Sequence, residues 1–564
     1  MRRIFPALTS VSNLRRAGGP RLASGCLSRK ETSAGRKVRA HGMKRFLAIF
    51  LMMFLLAGCM DLIQNDPTPT ETPSPAPTEQ QTEEAQDPAP GGELRIPMRT
   101  PKTLNPLLNE DETVDSVLKL LFEPLMVLDE NLKPQPNLAN FNFAPDGMSV
   151  SITLRDGLVW SDGEPIVSED ISFSVDMLRS APDTVIYKSV ISNMTGVYTI
   201  TDEKTIRIHF LQPFSGSRYQ FCFPIIPKHH YEGQDSPASD ANMNPVGSGL
   251  YMFSSYPSMK ELKLTVNPGT YRQKPYITDI EVLIVPDQES EMHSYDQSIL
   301  DVVSAEIADW GRYRNNQTTN INEYTTSYFD FIGFNFNNEK LKDKRIRQAV
   351  AMLVDRDDVI GNIYLTHADK ANSPVNPSSW LYEPNTPSYS FDMDKAGALF
   401  SEAKFSGTLR IAVNKENVER VKIGQLLAKN LEELNISVKL EELEFAEYMR
   451  RIGDKDFDLF IGGFNLTLIP DLSFAFGSGE DRSNVFSYQD DVMNGLLSSA
   501  FSSTTEIAYK KAMSDLQKHI GEELPCVSLV FRRSAMLTDQ RVQGPKTPNM
   551  SNIFANINQW HIAS

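Results

Sequence analysis

The chain has 564 residues, 40% hydrophobic and 9% aromatic content, and a formal net charge of −16, which bounds a globular protein of several domains. Residues 1–58 carry twelve Lys/Arg against one acid, Glu31, so the remaining 506 residues hold −27. A body that acidic repels phosphate backbones and excludes nucleic acid as an expected partner, and four cysteines do not make a disulfide scaffold or a metal cluster.

Met43-Lys44-Arg45 is a basic start followed by an apolar run from Phe46 to Ala57, too short for a helix spanning hydrocarbon. The run ends in Leu56-Ala57-Gly58-Cys59, the small-residue pattern that precedes a lipid-modified cysteine in bacterial lipoproteins. We therefore expect residues 43–58 to be a signal peptide and Cys59 to carry acyl chains, each buried methylene adding about 0.8 kcal/mol of membrane affinity. Residues 1–42 are basic, polar and aperiodic and read as an extension ahead of a true start at Met43. The stretch 59–90 is a tether, with seven prolines between Asn65 and Pro90, extended because proline removes donors and like charges repel. This arrangement implies work on the extracytoplasmic face of a cell membrane, outside the cell or in a periplasm.

Structure is expected from Gly91-Gly92, with Glu93 to Ile96 a first strand. Asp115 to Met126 has helical apolar spacing, and Ser149 to Leu154 alternates as a strand. Ser168-Glu169-Asp170 reads as a helix start with Ser168 as the cap. Thr205 to Phe210 and Glu261 to Val266 are strands, while Asp343 to Leu353 and Val418 to Leu434 are amphipathic helices. The mixture without repeats argues an α/β protein of several lobes.

Catalytic signatures are missing: no GxxxxGK[ST], HExxH, GxSxG or CxxC occurs. His229-His230 reads as a surface turn rather than a metal site, and Asp490-Asp491 and the acids of 454–458 as solvated loop charges. Cys222 and Cys526 could pair on an oxidising side of a membrane. No catalytic residue, cofactor or metal is expected, and the chain reads as a non-enzyme.

Several segments together resemble the bacterial extracellular solute-binding proteins of family 5, which serve peptide and nickel ABC importers. They are Leu104-Asn105-Pro106 with Leu121-Phe122-Glu123-Pro124-Leu125, then Leu154 to Pro165 (LRDGLVWSDGEP) with Ser168 to Ile171, and Pro245 to Tyr251 (PVGSGLY). Gly333-Phe334-Asn335, Lys344 to Val350 (KRIRQAV) and Asp355-Arg356 complete the series. The turns in these segments read as determinants of fold, with Arg345 and Arg347 bracing a helix start or lining a rim.

The resemblance implies an α/β, two-lobed periplasmic-binding-protein-like fold (type II, cluster C) with an extra small domain in the first lobe. Lobe I would comprise 91–129, 214–327 and 533–564, the extra domain 130–213, and lobe III 328–532. It further implies a monomer that captures a small molecule or peptide in a hinged cleft and delivers it to ABC permease and ATPase subunits.

In peptide-binding members of the family, a lobe III strand ends in a segment like GWxADY, whose backbone pairs with the peptide and whose aspartate holds the ammonium. Gly463, Phe464, Asn465 and Thr467 fall there, Phe464 in place of the tryptophan and Thr467 in place of the aspartate. Phe445, Tyr187, Asn484 and Tyr488 join them as expected ligand-binding residues, with Tyr328-Phe329-Asp330-Phe331 as further candidates. A threonine supplies no counter-charge for a buried ammonium. That favours, beside the oligopeptide reading, a non-peptide solute such as an oligosaccharide or a metal–chelator complex, unless Asp471 substitutes. A receptor or hydrolase lipoprotein is the alternative outside the class.

Overall fold

The structure, a computed structural model, describes residues 88–234, 236–305, 310–478 and 484–563, so Cys59, the signal peptide and most of the tether lie outside the described residues. Two four-stranded sheets build one hydrophobic body. In the first, Glu93–Met98 pairs parallel with Asp279–Ile284, followed by antiparallel Glu261–Val266 and Tyr251–Ser255. In the second, Ala139–Phe143, Ser149–Leu154, Thr205–Phe210 and Met194–Ile200 are antiparallel throughout. Leu94, Ile96, Val150, Ile152, Ile206 and Trp560 belong to a single buried cluster, so the two sheets share a core.

A second, larger core is built on a seven-stranded sheet. Its order is Val302–Ala305, Cys526–Asp539, Thr319–Phe334, Leu459–Asn465, Thr408–Asn414 and Ser437–Leu443, with Ala368–Lys370 on the flank of Cys526–Asp539. The last three of the ordered strands run parallel, with helix Val418–Glu433 following Thr408–Asn414.

The helix expected over Asp115 to Met126 runs instead over Glu112–Leu121. Asp111 caps it by accepting from Thr113 N at 2.8 Å, and Pro124 keeps the chain from continuing helically past Glu123. The helix Ser168–Ser180 starts where expected, but Ser168 is not its cap. The Ser168 hydroxyl donates to Asp202 O at 2.7 Å, while Asp170 reaches back to accept from Val167 N at 3.0 Å. Helices Lys344–Met352 and Val418–Glu433 fall within a residue or two of their expected spans, capped by Asp343 and Asn417.

The motif segments converge in the first body. Glu123 N donates to Ser248 Oγ at 3.1 Å, Gly249 N to Leu121 O at 2.8 Å, and Ser161 N to Gly247 O at 2.8 Å. Glu123 is buried and meets Arg272 at 3.0 Å and Asn137 Nδ2 at 2.7 Å. Trp160 donates to Asp170 at 3.1 Å, which also accepts from Lys228 N at 2.8 Å. In the second body, Asn335 donates to Lys455 O and Phe457 O at 2.9 and 2.8 Å. Arg345 pairs with its own helix cap Asp343, while Arg347 is buried and donates to four carbonyls, Leu341, Lys342, Glu523 and Leu524.

Cys222 and Cys526 are free thiols, lodged with separate cores, so the pairing considered from sequence does not form. His229, read from sequence as a surface turn, lies in the one-turn helix Lys228–Tyr231 and pairs with Asp162 at 2.8 Å. The acids read as solvated charges are engaged: Asp456 pairs with Arg410 at 2.6 Å, and Asp490 caps helix Asp491–Ser502 and meets His519 at 2.5 Å.

A Cβ at Gly249 would strike the carbonyls of Leu120 and Leu121 at the end of the first helix. Gly249→Ala should therefore cost about 2–3 kcal/mol through forced separation of loop and helix. Calorimetry of the purified chain is expected to show a thermal transition several degrees lower.

Candidate functional site at the junction of the two bodies

Two long strands carry the chain from one body into the other. In Thr319–Phe334, Ile321 packs on a small cluster with Leu537 and Ala535, whereas Phe329 to Phe334 belong to the larger core. In Cys526–Asp539, Val527 to Phe531 lie in the larger core and Met536 in that of the first body. The two strands pair regularly from Thr319 to Thr325, then slip in register between Thr325 and Phe329 and again after Asp330. A slip of this kind leaves residues outside the ladder and bends the ribbon locally.

Asp330 sits just beyond the slip, with no exposure at all, opposite Gly463. It accepts from Arg420 Nη2 at 2.6 Å, from Arg532 Nε at 2.6 Å and from the Tyr364 hydroxyl at 2.7 Å. Burial by itself would raise the Asp330 carboxyl, but the charges of Arg420 and Arg532 outweigh it and hold it well below the ordinary carboxylate range. A Cβ on Gly463 would collide with the Arg420 guanidinium and the Asp330 carboxylate. Glycine at 463 is therefore what lets Arg420 reach across the sheet.

The carboxyl ends of the parallel strands Thr408–Asn414, Ser437–Leu443 and Leu459–Asn465 lie at this same end of the sheet, because Asn465 pairs with Tyr328. Crevices outside the carboxyl ends of parallel strands are where ligands bind in α/β sheets. Phe464 is half-buried here, 4.6 Å from Phe331 and 5.0 Å from Phe474 by ring centroid. Asn465 accepts from the Ser327 hydroxyl, and Phe445 stands half-buried just past the end of Ser437–Leu443, two strands away in the sheet. Thr467 is exposed and its hydroxyl donates to Ile469 O at 2.8 Å. Asp471 accepts from Ser473 N at 2.9 Å, which engages one of its oxygens in the following turn.

The other expected residues lie elsewhere. Asn484 and Tyr488 sit by Phe336, which follows the far end of Thr319–Phe334, with Tyr488 4.8 Å from the Phe336 ring. Leu459 to Asn465 spans six steps of about 3.3 Å, which puts them on the order of 20 Å from the Gly463–Thr467 segment. Asn484 holds its own loop through Phe486 N at 3.2 Å, and the buried Tyr488 donates to Asp490 at 2.9 Å. Tyr187 is buried in the first body and donates to Asp115 at 2.8 Å. Burial and the neighbouring Asp115 carboxylate push its phenol well above the usual range. Neither Arg420 nor Arg532 was an expected site residue; an acid in the otherwise apolar run Tyr328 to Phe334 was the signal that they would be needed.

Along one side the two bodies touch. Trp380 Nε1 donates to the Tyr219 hydroxyl at 2.9 Å, which donates to Leu132 O at 3.0 Å, and Trp380 N donates to Asn131 O at 2.8 Å. Lys133 pairs with Glu506 at 2.7 Å, and Phe214 packs on Phe501 at 4.7 Å.

Two bodies joined by a paired ribbon, with parallel strand ends at the join, define a two-lobed α/β binding protein. The chain belongs to the bacterial extracellular solute-binding proteins, family 5: the pattern described as "Bacterial extracellular solute-binding proteins, family 5 Middle" matches residues 133–483. The oligopeptide-binding protein AppA of Bacillus subtilis is 23% identical over 514 residues, covering 84% of this chain and 92% of AppA. A probable D,D-dipeptide-binding periplasmic protein, DdpA of Escherichia coli, is 22% identical over 74% of this chain and 83% of its own. Among solved structures, the ABC transporter substrate-binding protein CtaP of Listeria monocytogenes superposes with a TM-score of 0.73 at 21% identity, over 84% of this chain and all of CtaP. AppA of Bacillus subtilis in complex with a nonapeptide superposes with a TM-score of 0.61 at 20% identity, over 85% of this chain and all of AppA.

Replacing Asp330 with Asn should leave two half-buried guanidinium groups without a counter-ion, destabilising the chain by about 3 kcal/mol. Because the folded carboxyl is depressed, its contribution is fully present above the ordinary aspartate pKa of about 4 and is lost as pH falls below it. Urea unfolding of wild type and Asp330→Asn is expected to show a gap that is constant near neutrality and narrows steadily below pH 4.

Proposed function

We propose that this chain is the ligand-capturing component of an ABC importer and takes up a peptide-type solute. The observation that carries the reading is the bent ribbon at Thr325–Asp330: the parallel strand ends face the join it makes between the lobes. Closing such a hinge around a solute requires contacts with both faces that the open form lacks. The relatives support the peptide class, since AppA and DdpA are described as binding oligopeptides and D,D-dipeptides.

In this reading, lobe I comprises 91–129, 214–327 and 533–564, lobe III comprises 328–532, and residues 130–213 form an added domain that shares the lobe I core. Gly463, Phe464 and Asn465 offer the ligand backbone and an aromatic wall at the strand end, with Phe445 beside them. Cys59 carries the lipid anchor, the tether sets the reach of the body, and the chain works outside the cytoplasm as a monomer without catalytic activity.

Native mass spectrometry of the full chain, purified without denaturation, is expected to show complexes heavier than the apo mass. The extra mass should be released by acid and yield amino acids on hydrolysis. A released species yielding no amino acids would contradict the peptide class.

A further inference from the structure

Beside the paired ribbon a histidine is shut between the two bodies. His367 is buried, in the turn that leads into Ala368–Lys370 on the flank of the larger sheet. Its Nε2 accepts from the Trp310 indole at 2.5 Å and from Arg314 Nη2 at 2.8 Å. An imidazole nitrogen that accepts carries no proton. The ring is therefore neutral, with its hydrogen on Nδ1, 3.2 Å from Glu323 Oε1.

These partners come from opposite sides. Trp310 is fully enclosed in the small cluster with Val285, Ala305 and Leu537, and Arg314 lies just beyond it. Val285 N donates to Met98 O at 2.9 Å, which fastens that cluster to the first body. Tyr364 and Ala368, on either side of His367, belong to the larger core. Glu323 and Arg533 lie on the two ribbon strands, where pairing is still regular before the slip after Thr325.

The turn that presents His367 is strained. Leu365 and Thr366 have φ of 53° and 74°, a region that a β-branched residue such as Thr366 rarely adopts. Arg314 Nη2 braces the turn as well, reaching Leu365 O at 3.0 Å and Thr366 Oγ1 at 3.2 Å.

A proton on Nε2 would meet an indole N–H and a guanidinium, so both bonds would be lost and the buried indole left without its acceptor. Glu323 draws the ring toward its charged form, but it is shared with Arg533 at 3.4 Å, which pairs with Asp369 in turn. Burial outweighs Glu323, the charges of Arg314 and Arg533 add to it, and the ring is held below the ordinary histidine range.

We propose that His367 is a proton-operated catch between the two bodies: taking up a proton breaks its bonds to Trp310 and Arg314 and frees the turn 364–367 from the segment 310–314. Because the folded ring is held low, the catch is shut above about pH 6.5 and opens progressively as pH falls below it. This holds whatever solute the chain binds.

Hydrogen–deuterium exchange of the full chain, read by mass spectrometry and corrected for the intrinsic pH dependence of exchange, tests the catch. In wild type, segments 310–316 and 364–370 are expected to lose protection by about tenfold between about pH 7.5 and about pH 5.5. His367→Gln offers an acceptor near the place of Nε2 but takes up no proton, so both segments should stay protected at the lower pH. Arg314→Gln removes a charge that holds the ring low, and exchange at the imidazole C2 should show the His367 midpoint moving up. Unchanged protection of the two segments in wild type, or the same loss in His367→Gln, overturns the proposal. So does a wild-type His367 midpoint at or above about 6.5.

Discussion

The fold depends on a charge that has no route to water. Asp330 is fully enclosed where the chain passes from one lobe to the other, and two arginines from different elements converge on it. Arg420 comes from the first turn of helix Val418–Glu433, and Arg532 from the second strand of the ribbon. The trio therefore ties the seven-stranded sheet, helix Val418–Glu433 and strand Cys526–Asp539 at one point. Taking three charges out of water is costly, and the arrangement holds only because each carboxylate oxygen is bonded and glycine at 463 clears the path.

The family segments gain a physical meaning from this geometry. LFEP, WSDG and PVGSG knit one corner of the first body by mutual hydrogen bonds, and Gly247 and Gly249 permit close approach to the carbonyls of Leu120 and Leu121 at the helix end. GFN and KRIRQAV act similarly in the second body, where Asn335 and Arg347 satisfy carbonyls at and beside helix ends. These segments determine the scaffold.

Much of the scaffold was legible in the sequence. Alternation gave Ser149–Leu154, Thr205–Phe210 and Glu261–Val266 as strands with their observed ends, since each buries one face. Helix starts were less legible, because Ser168 offered a cap but bonded to Asp202 O, and Asp111 capped a turn that apolar spacing did not show. The segment Gly463 to Thr467, expected from the resemblance, falls at the join. Asn484 and Tyr488 were grouped with it from motif order, and the sheet separates them because they follow the opposite strand end. The Asp330 network was hidden because its members are 90 and 202 residues apart, so only the sheet register brings them together.

The central claim is that the lobes close on a peptide about the ribbon. Nitroxide labels at Val197 in the added domain and Ile507 in lobe III, both well exposed, report on that motion by pulsed electron–electron distance measurement. Burial pushes the Cys222 thiol up to about 12 and raises Cys526 as well, so neither competes for label. The account predicts a broad distance distribution without ligand that collapses, on adding a pool of random pentapeptides, to the single short separation of the closed arrangement. A distribution that is the same with and without saturating peptide would contradict it.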